Sequence, residues 1–156
     1  MKPLAALLSL GLLLAACASP PDAAALLLTP EDFPGRDLAV EHRRANPSSA
    51  GASSAETELT GPGFTLFHSV VLFGSAQEAQ EAISRVQENQ ESLGLTAVEA
   101  PAVGEESVVL AGQQGGRDSV SILFRRGAAF VRLTLVGSDS VTEMIGYAGR
   151  AHAKLR

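Results

Sequence analysis

The sequence predicts an α+β domain: a single antiparallel sheet of about five to six strands with two amphipathic helices packed on one face. Three observations carry this expectation. Strand-like runs recur at Phe64–Phe73, Val120–Arg125 and Ala128–Val136. Apolar residues recur at helical spacing after Ser75 and again after Gly137. Short glycine-bearing turns, too short for crossovers, join the later strands, as an antiparallel meander requires.

The elements follow in order. Leu26-Leu27-Leu28 reads as a segment that packs onto the domain. Thr29-Pro30-Glu31-Asp32 starts a helix, with Thr as N-cap, Pro at the first position and acids in the first turn; Pro34-Gly35 stops it early. Leu38–His42 alternates as a strand. Residues 46–63 are rich in Ser, Ala, Gly and Pro with almost no bulky apolar residue, and read as a flexible loop, either a connector or a cover for a site. Phe64–Phe73 is apolar on both faces and should be a central strand. Ser75-Ala76-Gln77-Glu78 has the form of a capping box, and Ala79, Ala82, Ile83, Val86 and Leu93 mark the buried face of the helix that follows. Gly94-Leu95 fits a Schellman stop.

Leu95–Ala100 reads as a short edge strand. Val103–Ser107 turns the chain into Val108-Val109-Leu110, and Gly112–Gly116 forms a glycine-rich turn. Val120, Ile122 and Phe124 face one way, Arg126-Gly127 turns, and Val131, Leu133 and Leu135 return. The last helix buries Val141, Met144, Ile145, Ala148, His152 and Leu155. Residues 70–75 and 133–138 repeat a strand-Gly-Ser-helix joint, which marks either two equivalent halves or a common junction used twice.

The N-terminus says where such a domain is placed. Met1-Lys2, an apolar run Leu4–Leu14 and Ala15-Ala16 form a secretory signal, too short to span as a stable helix. Leu14-Ala15-Ala16-Cys17 resembles the lipobox of bacterial lipoproteins. The resemblance implies cleavage before Cys17 and its acylation with palmitate-type chains. Several chains are needed, since each buried CH₂ contributes only about 0.8 kcal/mol. Ala18, in place of an aspartate, implies outer-membrane sorting in a host with two membranes. The other reading is a secreted protein with Cys17 as a free thiol, a liability in an oxidising compartment. The expected organisation is a signal peptide over 1–16, a lipidated tether over 17–25 and one domain over 26–156.

Composition narrows the partners. Without Lys2 the chain keeps 11 basic residues against 17 acidic ones, about −6, which argues against nucleic acid. No tryptophan and one tyrosine, Tyr147, argue against stacking platforms for sugars or bases. Chemistry is equally sparse. His42, His68 and His152 are isolated, so no metal site is expected, although His42 and His68 could meet across strands. Nucleophile and phosphate-loop motifs are missing, so no catalytic residue and no cofactor are expected. Glu105-Glu106 reads as a solvated turn, its carboxylates diverging unless the turn bends them together. Arg125, Arg126 and Arg132 surround the Gly127 turn, where they either hold a small anion or protect an edge.

The mature chain also resembles small actinobacterial lipoproteins and the extracytoplasmic sensor domains of some bacterial Ser/Thr kinases. The resemblance rests on the leucine-rich start, Thr29–Gly35, Val103–Ser107, the Arg-Gly hairpin and the C-terminal helix. The two cysteine pairs of the kinase sensors are missing here. The resemblance implies a sheet-and-helix sandwich and no catalytic residues. The expected function is therefore a lipid-anchored interaction module of the cell envelope, not an enzyme, with an envelope protein as partner. The alternative is a carrier for a lipid or acyl chain, in a cavity of roughly 300–1,000 Å³ lined by Phe64, Phe67, Phe73, Ile83, Met144 and Ile145. A hydrolase would need Glu105, Glu106 and His68 to converge.

Overall fold

The computed structural model describes residues 22–46 and 52–156; the expected signal over 1–16, Cys17 and Ala18 lie outside them. Seven strands form one sheet: β1 (Ala39–Asn46), β2 (Ser53–Gly61), β3 (Phe64–Leu72), β4 (Thr96–Val98), β5 (Glu106–Gln114), β6 (Arg117–Arg126) and β7 (Ala129–Val136). Their spatial order is β1-β2-β3-β7-β6-β5-β4, with every neighbouring pair antiparallel. Helix α1 (Ala76–Ser92) joins β3 to β4, and α2 (Val141–Lys154) closes the chain.

The sheet thus has seven strands, not five to six, and half of the predicted loop over 46–63 is strand β2, Ser53–Gly61. Ala55, Thr57 and Leu59 point inward and are buried, alternating with Glu56 and Glu58. The period-two pattern is present, but two of its three inward residues are small, so no bulky apolar run announces the strand.

The two helices do not share a face. Ile122 and Leu123, consecutive on β6, must point to opposite sides of the sheet. Leu123 joins Leu110 and Phe130 beneath Ala79, Ala82 and Ile83 of α1. Ile122 joins Phe124, Leu133 and Leu135 in the other core, with Met144, Tyr147, Ala148 and Ala151 of α2. On the α1 side β6, β7 and β3 present only Leu123, Phe130 and Val71 to the core, among polar residues, and α1 covers these. This also settles the repeated joint. Apart from β4 the strand order is symmetric about the β3–β7 pair, but the two-fold axis that relates these antiparallel strands is normal to the sheet and would keep both helices on one face.

The local signals at the ends of α1 act in part as expected. The Ser75 Oγ accepts from the Glu78 amide at 3.2 Å, and its hydroxyl, not the cap amide, meets the Glu78 carboxylate at 3.2 Å. Gly94 (φ +94°) closes α1 in a Schellman motif: Leu95 N–H donates to the Gln90 carbonyl (3.2 Å), and Gly94 N–H to that of Glu91 (3.0 Å). Leu95 is consequently buried, whereas Leu93, expected in the apolar stripe, is 60% exposed at the cap.

The domain begins before residue 26. Short 3-10 turns at Ala23–Leu26 and Pro30–Asp32 lay the N-terminal segment on the α2 side of the sheet. Ala23, Leu27, Leu28 and Phe33 are all buried there. The stretch 17–25 is therefore not tether throughout; by Ala23 it is core.

Candidate functional site

Helix α1 covers only part of its face of the sheet. It lies over β5, β6 and β7, and among the described residues β1, β2 and most of β3 carry no helix on that side. Register fixes what stands there. One row reads His42, Glu58, Phe67, Thr134; the next reads Arg44, Glu56, Ser69, Arg132; a third reads Asn46, Ser54, Val71, Phe130. Phe67 is 39% exposed. Two adjoining hollows of about 310 and 240 Å³ share Glu56, Ser69 and Arg132 among their walls. They arise because Ser69 is short and lies between the longer side chains of Glu56 and Arg132.

Charges on this floor are unevenly matched. Arg44 pairs with Glu56 at 2.9 Å, and His42 stands 3.7 Å from the same carboxylate. Arg132 is half-buried and meets no carboxylate among the described residues. Sequence reasoning grouped Arg132 with Arg125 and Arg126, but Arg125 is already engaged. Glu105 and Glu106 bend together, contrary to the diverging arrangement expected, and take its guanidinium at 2.7 and 2.9 Å. Gly104 (φ +71°) makes the bend; a Cβ there would lie 2.4 Å from the Arg125 carbonyl oxygen. Glu105 also accepts from the Gly127 amide at 3.1 Å. The acidic pair is thus a clamp on a hairpin and lies apart from His68.

His68 and His42 point to opposite faces. His68 is buried on the α2 side, where its Nδ1 accepts from the Leu28 amide at 3.0 Å. Its Nε2 has no partner among the described residues. Burial, helped by the charge of Lys154 and opposed by Asp32, pushes its pKa down to about 3. Around it, Lys154 pairs with Asp32 (2.8 Å), Arg150 donates to the Asp32 carbonyl (2.6 Å), Arg43 donates to the Ala24 carbonyl (2.8 Å), and Arg36 pairs with Glu143 (2.7 Å). These contacts hold the N-terminal segment down. His152 stands edge-on to Phe124. No group of three His, Cys, Asp or Glu that could hold a metal occurs among the described residues.

The six residues expected to line an apolar cavity do not come together. Met144 and Ile145, with Phe64, pack on the α2 side; Phe73 and Ile83 pack beneath α1. Phe67 shares the α1 side but lies on the bare floor. The sheet itself separates the two groups, so no one chamber takes all six.

A seven-stranded antiparallel sheet flanked by helices on both faces defines the class of domain. Among solved structures it is similar to the extracellular domain of PknH from Mycobacterium tuberculosis, with a TM-score of 0.62 over 86% of this chain and 94% of that one, at 9% identity. The resemblance to kinase sensor-type domains drawn from the sequence therefore holds for the fold. No protein-family model matches the sequence, and no curated protein matches it.

Proposed function

We propose that this chain is a lipid-tethered, extracytoplasmic binding module, without catalytic chemistry of its own, that presents the bare half of its sheet. The observation that carries the reading is that half-sheet: a floor with exposed Phe67 and half-buried Glu58, Ser69 and Arg132, which no helix covers among the described residues. A purely structural face of this size would be covered or uniformly solvated, whereas a floor with an aromatic ring, a hollow and unmatched charge suits recognition. An extracellular setting is consistent with the neighbour's description as an extracellular domain. No helix among the described residues is long and apolar enough to cross a membrane, and Cys17 supplies the attachment in this reading. Ala18 would send the protein to the outer membrane of a host that has one.

Two measurements test it. Cys17→Ser should move the protein from the membrane to the soluble fraction, and intact mass should show the acyl chains lost. Unprocessed, unacylated wild-type protein would sink the tether. A photoreactive residue replacing Phe67 should give a discrete adduct in the native envelope, and one replacing Glu88 on the exposed side of α1 should not. Equal yields at both positions would remove the bare face as the docking surface.

A further inference from the structure

Resting on the bare face as the docking surface, we infer that the hollow above Ser69 is a subsite for one anionic group, a carboxylate or phosphate, of a small ligand whose apolar part lies on Phe67. Arg132 is the charge that selects it. Two half-buried cations elsewhere are matched: Arg125 by Glu105 and Glu106, Lys154 by Asp32. Arg126 and Arg132 are the half-buried arginines with no carboxylate among the described residues. Arg126 sits at a hairpin end, beside the Gly127 turn. Arg132 sits within a central strand, between Ser69 on β3 and Leu123 on β6. A guanidinium partly withdrawn from water gains most from a bidentate oxyanion, and its planar fork is built for one. Ser69, directly opposite on β3, adds a hydroxyl donor to the same hollow.

The flanking acids set the ligand's other limits. Glu56 lies across Ser69 from Arg132 and is already shared by Arg44 and His42; Glu58 stands one row away beside Phe67. Two carboxylates within the same pair of hollows repel a polyanion, so the fit is to a single anionic group on a largely apolar body.

Backbone amide shifts of the soluble Cys17→Ser chain, titrated with 3-phenylpropionate, phenyl phosphate and 3-phenylpropylamine, test this. Saturable shifts confined to residues 67–69 and 132 with an anion, and none with the amine, are expected. Whichever anion saturates first identifies carboxylate or phosphate as the group. Arg132→Gln should weaken binding about tenfold or more, the scale of a lost charge-assisted hydrogen bond. Arg126→Gln should leave it unchanged. Absence of saturable shifts with both anions, or equal affinity in Arg132→Gln, overturns the subsite. If those fail while the Phe67 photoadduct persists, the anion inference falls and the docking face stands. If the adduct also fails, both fall.

Discussion

A chain shortened to begin at Asp37 is expected to lose its cooperative unfolding transition, although every strand and both α-helices remain. The missing residues 22–36 supply Ala23, Leu27, Leu28 and Phe33 to the core on the α2 side. Burying a leucine or phenylalanine side chain contributes about 1.5–3 kcal/mol, and the cavity left behind adds more, so leucine truncations run to about 2–5 kcal/mol each. Three such residues rival the whole net stability of a domain, about 5–15 kcal/mol. Removal also strips partners from His68, Arg43, Arg150 and Lys154 at once. Thermal melts followed by circular dichroism check this: a chain starting at Asp22 should melt cooperatively, and one starting at Asp37 should not. A shortened chain melting within a few degrees of its parent would show that the segment is only draped on the domain. The result bears on the tether. With folded chain beginning at Ala23, about five residues separate the domain from Cys17, a reach of roughly 18 Å at full extension. An acylated Cys17 would then hold the domain against the bilayer and restrict how its bare face is presented.

Much of this architecture is legible in the sequence because local chemistry and tertiary packing agree there. Ser75, Gly94 and the Arg126-Gly127 turn act locally, and the structure uses each as its residue type dictates. What was not legible depends on partners distant in sequence. Strand β2 hides because the inward face bearing Ala55 and Thr57 is covered by the N-terminal segment, distant in sequence, and the two residues are themselves small. Each helix covers a different apolar set, Leu123 and Phe130 under α1 and Ile122, Leu133 and Leu135 under α2, and strand alternation alone does not say which helix goes where. The candidate site was hardest to see. Its floor is contributed by β1, β2, β3 and β7, and Ser69 matters for being small, which leaves no motif. Arg132 was visible as a charged residue, but its lack of a carboxylate emerges only once Arg125 is seen to take both Glu105 and Glu106. The alternation Glu56-Thr57-Glu58 was the one available signal for the floor, and it reads as a polar loop unless the small residues between are allowed to be buried.

Stability is expected to fall steadily as pH drops from about 6.5, and His68 is the reason. Its folded pKa of about 3 lies below its ordinary value of 6.5. Between those limits the unfolded chain binds a proton that the native chain refuses, so the stabilisation is complete above pH 6.5 and is lost as pH falls towards 3. At about 1.4 kcal/mol per pH unit, the full effect approaches roughly 5 kcal/mol. Burial of the ring is the main cause of the refusal, and geometry adds to it. Nδ1 must keep its lone pair to accept from the Leu28 amide, and the buried ring faces the Lys154 ammonium more strongly than it feels Asp32. Asp32 and Glu143 act in the same direction but later. Burial opposes their ionisation, yet for Asp32 the Lys154 ammonium and the Thr29 amide, and for Glu143 the Tyr147 hydroxyl and Arg36, hold each carboxyl below its usual range. Their stabilisation is present above the ordinary values of 3.8 and 4.5 and is lost only below them. The window from pH 6.5 to about 4.5 therefore isolates His68. Urea unfolding at several pH values across it should show a falling free energy in the parent and a flat one in His68→Leu. At pH 7.5 the same substitution should be destabilising by about 1–3 kcal/mol, because it leaves the Leu28 amide buried without an acceptor. A parent whose unfolding free energy stays constant down to pH 4.5 would mean that His68 protonates freely in the native state, and that the segment bearing Leu28 yields to admit the charge.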